Sequence, residues 1–182
     1  MGTLLKEELE DQILHTKINY LNGYLSALAM MSSYSIVGMD FKLYLYPFYA
    51  GDIERAIQYN SYELFGVHTN EWNIELVKTD HWKARLKEEL YMNFKRSIPV
   101  DHTTRIPKPD YSQNDLTDQL RDRFYASINY FVELLEDEFV TSQTDVYEMK
   151  VKADAYYRIV GIDLIFEISD TKLVVLQIMG ND

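Results

Sequence analysis

The chain contains no cysteine among its 182 residues. Structural disulfides, Cys-based zinc sites, thiol nucleophiles and iron–sulfur clusters are therefore excluded. A small secreted scaffold usually leans on such staples, so a reducing cytoplasm is the expected setting. Glycine is scarce, at seven residues. No GxGxxG, GxxxxGKS or GxxxxGKT loop is present to cradle phosphate, and there is no GxSxG elbow. No run approaches the roughly 18 apolar residues needed to span a bilayer. The longest, Tyr24 to Met31, is much shorter. Met1 to Glu8 lacks the basic start and unbroken apolar stretch of a signal peptide. Positive charge is also short: the formal net charge is −11. That balance repels nucleic-acid phosphates and anionic lipid, so neither direct nucleic-acid binding nor a membrane is expected.

What the chain does have is core material. Hydrophobic residues make up 47% and aromatics 14%, with 15 tyrosines. Tyrosine joins an apolar ring to a polar tip and suits core edges and contact surfaces. The length fits one domain, residues 1–182.

Periodicity divides the chain into elements. Thr3 to about Ser33 reads as a helix, with Leu9, Ile13, Leu14, Ile18, Leu21, Leu25 and Leu28 on its apolar side and Asn22 among the residues opposite. Gly23 is a candidate kink. Met39 to Pro47 reads as a strand, Asp52 to Tyr59 as a short helix capped by Asp52 or Gly51, and Asn73 to Val77 as a short strand. Thr79 or Asp80 caps a helix from His81 to Arg96, the one basic element, with Trp82, Leu86, Leu90 and Phe94 in line. Residues 97–111 hold three of the four prolines and form a loop, a candidate internal hinge.

The strongest pattern runs over 112–141. Ser112 to Asp115 resembles a capping box. At 100° per residue, Leu116, Leu120, Phe124, Ile128, Phe131, Leu134 and Leu135 share one arc, and Asp115, Asp118, Asp122, Glu133, Glu136 and Asp137 share another. From residue 115 to 137 such a helix rises about 33 Å. The last forty residues read as two or three antiparallel strands, with a turn at Ser169 to Lys172. The expected fold is α+β: three to four helices, including the long amphipathic one near 112–141, on a small, mainly antiparallel sheet ending in a hairpin.

Chemistry-bearing motifs are sparse. His15, His68, His81 and His102 form no ligand pair on a helix turn. Asp80-His81 and Asp101-His102 read as a cap or loop acid beside an exposed histidine. Two-metal nucleases need an acid followed by acid-x-Lys on a neighbouring strand. Glu148-Met149-Lys150 and Asp170-Thr171-Lys172 have the second half of that spacing. The first reads as solvent-facing residues of an edge strand and the second as turn composition. No catalytic residue, metal or cofactor is expected.

The acidic stripe of the long helix remains. Solvated surface helices usually interleave Lys with Glu at i,i+4. Segment 112–141 instead holds seven acids and two arginines, Arg121 and Arg123. Repulsion along a helix is tolerated where something basic meets it. The expected partner surface is Asp115, Asp118, Asp122, Glu133, Glu136 and Asp137, flanked by Tyr125 and Tyr130. The expected function is an acidic inhibitor that blocks a basic, nucleic-acid-binding protein, as immunity proteins against nuclease toxins and phage-encoded nuclease inhibitors do. The alternatives are an assembly protein acting as a homodimer, or an enzyme or small-ligand binder with a scattered site.

Overall fold

The computed structural model describes residues 2–32, 38–47, 52–65, 73–97, 111–152 and 160–181. In chain order the elements are α1 (Gly2–Ser32), β1 (Gly38–Pro47), α2 (Ile53–Tyr59), α3 (Ser61–Phe65), β2 (Asn73–Lys78), α4 (Trp82–Ser97), α5 (Tyr111–Phe139), β3 (Asp145–Lys152), β4 (Val160–Ser169) and β5 (Lys172–Asn181). The strands form one sheet in the order β1-β5-β4-β3-β2, and every neighbouring pair is antiparallel. This is the α+β fold anticipated from the pattern, with α3 as an added single turn. The Pro-containing hinge lies outside the described residues, as do the side chains of the capping box.

The last three strands form a meander. Asp170 and Thr171 make the tight turn between β4 and β5. The first strand of the chain then docks on the last, with Leu43 opposite Leu176. At Gly161 the backbone has φ +145, and a Cβ there would lie 1.7 Å from the Ile178 carbonyl oxygen. Only glycine lets β4 approach β5 so closely at that point.

Period-two alternation gives the sheet two faces. One face carries Leu43, Val146, Ile162, Leu164, Phe166, Val174, Leu176 and Ile178. Three helices cover it. Ile18, Leu21, Leu25 and Leu28 come from α1, Trp82, Leu86 and Leu90 from α4, and Phe124, Ile128, Phe131, Leu135 and Phe139 from α5. Each such side chain contributes roughly 1.5–3 kcal/mol by leaving water. Trp82 meets Phe166 edge-on, with ring centroids 5.2 Å apart. The other face holds a smaller cluster, in which Ala56, Ile57 and Leu64 of α2 and α3 pack on Ile74, Met149, Ile165, Leu173 and Val175. Strands β4 and β5 are therefore buried on both faces, which is why they read as near-continuous apolar runs.

Helix α1 departs from expectation in two places. Leu9 and Ile13 carry the apolar period but stay exposed, because the buried stretch begins at Ile18. Asn22, placed on the solvent side by its polarity, instead faces β1. Its side-chain carbonyl accepts from the Leu43 amide at 2.6 Å, and its amide donates to the Leu43 carbonyl at 3.3 Å. Among the described residues strand β1 has a sheet partner on one side only, so Asn22 bonds backbone groups that the ladder leaves over. The helix continues through Gly23, where a Cβ would meet nothing within 4 Å.

Candidate functional site

Helix α5 lies between α1 and α4, and that position decides what the acidic stripe can do. On the α1 flank, Phe131 stacks on Tyr24, the Tyr24 hydroxyl donates to the Ser127 carbonyl at 3.2 Å, and Lys17 pairs with Glu138 at 2.8 Å. On the α4 flank, Tyr125 meets Tyr91 edge-on at 4.4 Å, the Tyr91 hydroxyl donates to Asn129 at 3.3 Å, and Lys83 donates to Glu136 at 2.5 Å. A third side faces the sheet. Among the described residues a narrow outer line remains, running through Gln119, Asp122, Arg123, Ala126, Tyr130, Glu133 and Asp137.

The proposed surface residues therefore separate into groups. Asp122, Glu133 and Asp137 are exposed on the outer line and, among the described residues, carry no ion pair. Tyr130 is 49% exposed beside them, with its ring 5.8 Å from Tyr24. The Tyr20 phenol, next to Tyr130 on α1, is pushed up from its ordinary value, first by that neighbour. Glu136 sits instead at the seam with α4, and Tyr125 is half-buried against Tyr91. Asp115 and Asp118 fall on α5, but their side chains lie outside the described residues. From Asp122 to Asp137 the helix rises about 22 Å, and Ala126 and Tyr130 fill its middle.

The lysines around this layer are largely committed. Lys17 holds Glu138, Lys83 holds Glu136, Lys78 holds Asp145 at 2.7 Å, and Lys172 holds Asp11. Arg85 contacts Glu88 at 2.8 Å and Glu148 at 3.5 Å. Its partial burial works against the charge, but the two carboxylates outweigh it and raise the guanidinium further. These exposed pairs are each worth about 0–1 kcal/mol, so their weight lies in using up positive charge.

The other candidates do not converge. His15 and His81 are exposed, while His68 and His102 lie outside the described residues. Among the described residues no three His, Asp or Glu side chains are grouped to hold a metal. Strand β3 is interior, paired on both sides, so Glu148 is not on an edge. It points into the helix layer and meets Arg85, while Lys150 is exposed. Asp170 and Thr171 form the tight turn, as their composition implies.

One polar feature escaped the sequence reading. Asp163 and Gln177 are 0% exposed on the two central strands. They sit opposite each other in register, with Lys42 of β1 opposite Gln177 on the far side. The Gln177 amide donates to Asp163 at 3.4 Å, and its Oε1 has no hydrogen-bond partner. The orphan of the pair is the Gln177 carbonyl oxygen. The available signal was an Asp and a Gln interrupting two otherwise apolar strands.

No described helix is long and apolar enough to cross a membrane. No protein-family model, no curated protein and no solved structure matches this chain.

Proposed function

We propose that the chain is a binding protein that occupies a basic, nucleic-acid-binding partner through the carboxylates of α5 and so keeps nucleic acid out. The specific case is an immunity protein or phage-type inhibitor acting on a nuclease. One observation carries this reading. Asp122, Glu133 and Asp137 stand exposed without ion pairs among the described residues, while Lys17, Lys83, Lys78 and Lys172 are each held by other acids. Arg123 is the one cation on the same line, so its described residues still display two carboxylates in excess, part of the surplus of the −11 chain. Fixed carboxylates on a rigid helix attract a cationic groove over a Debye length, about 8 Å at physiological salt, and speed its approach. Tyr130 supplies contact area in the middle of the line.

The test is binding of a basic partner recovered with the wild-type chain at low salt. Its affinity should fall steeply as salt rises. The triple variant Asp122→Lys, Glu133→Lys and Asp137→Lys should keep its helical spectrum and lose the partner. Retained or salt-insensitive binding removes this reading.

A further inference from the structure

The first half of α1 runs beyond the buried stretch and forms one wall of a hollow of about 630 Å³. The other walls are the C-terminal end of α5 and the β4–β5 turn. Ile13, Leu14, Phe139 and Ile168 make its apolar lining, and Glu7 and Glu10 stand on its rim. Two ion pairs brace α1 across it, Lys17 with Glu138 and Lys172 with Asp11. Ile13 is 48% exposed, and Leu9, one turn earlier, is 57% exposed. A second hollow of about 530 Å³ adjoins at the turn and is lined by Asp145, Glu167 and Asp170. An apolar floor inside an acidic rim is the arrangement of a recognition surface.

We propose that this hollow receives the apolar anchor of a basic amphipathic helix from a partner protein. The inference rests on the reading above that the partner is basic, and it names how that partner is gripped. Charge selects the occupant. Both lysines lining the hollow are already held by Asp11 and Glu138, and Lys6 pairs with Glu10 at 3.6 Å, so Glu7 and the neighbouring Asp170 leave the rim net negative. A second copy of this chain does not fit, because a two-fold contact would set those acids against their own copies. Size agrees with a helix. Between residues 7 and 17, α1 presents about 15 Å of wall, roughly three turns of a facing helix. A partner with apolar residues at i, i+3, i+4 and i+7 and Lys or Arg elsewhere would seat its apolar edge on Ile13 and Leu14. Its cations would meet the rim.

A labelled 14-residue peptide with that Leu and Lys pattern is the probe, with a scrambled peptide of the same composition as control. Fluorescence anisotropy should show the patterned peptide binding the wild-type chain at least tenfold more tightly than the scramble. Ile13→Glu should weaken it tenfold or more. That variant should fold, since the side chain is half in water, and its circular dichroism checks this. The triple reversal on α5 should weaken the peptide far less than Ile13→Glu. If Ile13→Glu has no effect while the α5 reversal abolishes binding, the hollow is overturned and the α5 reading stands. If neither variant matters, or the wild-type chain binds neither peptide, the hollow is overturned as well. A wild-type dimer in sedimentation that Ile13→Glu dissociates would overturn it in favour of a second copy.

Discussion

A side-chain acceptor buried without a partner costs roughly 1–3 kcal/mol, and Gln177 carries one between two central strands. Its compensation is a single long bond, 3.4 Å, from its amide to Asp163. The first effect outweighs the second. Gln177→Met, similar in shape and without the orphan carbonyl, should leave stability unchanged or raise it by about 1 kcal/mol in urea melts. A loss of more than about 1 kcal/mol would mean that Asp163 depends on that amide. Tyr147 gives a pH dependence of known sign. Burial first, then the carboxylates of Glu167 and Asp145, push its phenol above 10.0, and its hydroxyl donates to Glu167 at 3.3 Å. A group holding its proton more tightly in the fold stabilises fully below the unfolded value and loses that contribution as pH rises through the folded value. Stability should therefore fall as pH climbs beyond about 10, and Tyr147→Phe should flatten that limb. Lys78, raised by its hydrogen bond with Asp145, acts in the same direction. An alkaline limb unchanged in Tyr147→Phe would assign the fall elsewhere.

Elements were legible where one period dominated. Helix α5 is legible in the spacing of Phe124, Ile128, Phe131 and Leu135, and all four are buried as that spacing requires. The β4–β5 hairpin is legible in Asp170-Thr171 between two apolar runs. Periodicity says which side of a helix is apolar, but it does not say how far along the helix a partner extends. That is why Leu9 and Ile13 share the apolar period of a core that begins only at Ile18. Nor does polarity say what a polar residue bonds. Asn22 lay on the polar side in sequence, yet its amide is fixed to Leu43 by two hydrogen bonds. The stripe was legible as acids sharing one sector. Its interruption was not, because the neighbours that claim Glu136 and Tyr125 belong to α4. Asn22→Ala tests the contact between α1 and β1. It removes two hydrogen bonds from a half-buried edge that water partly reaches, so the expected cost is about 1–2 kcal/mol in denaturant midpoint at unchanged m-value. A negligible cost would show that water replaces the side chain fully.

At the scale of the molecule, a formal charge of −11 on a 182-residue chain makes folding work against self-repulsion. A folded chain of this length has a radius of gyration of roughly 16 Å. At 0.01 M salt the Debye length is about 30 Å, so every carboxylate feels every other; at 0.15 M it is about 8 Å, and only neighbours interact. Added salt therefore relieves repulsion across the whole fold. It also screens the favourable pairs, such as Lys17 with Glu138 and Lys78 with Asp145, but those are exposed and each is worth about 0–1 kcal/mol. Long-range repulsion summed over the chain should win. The melting temperature should rise as sodium chloride is raised from 0.01 to about 0.15 M, and the rise should shrink when Asp122, Glu133 and Asp137 are reversed to Lys, which reduces the magnitude of the −11 net charge by two units for each reversal. The same salt series should weaken a basic partner, because there screening removes attraction instead. Opposite salt responses of folding and binding, both reduced by the same three substitutions, would tie the acidic surplus of α5 to each. A melting temperature that falls with salt would mean that the local ion pairs dominate and that the surplus is already balanced within the fold.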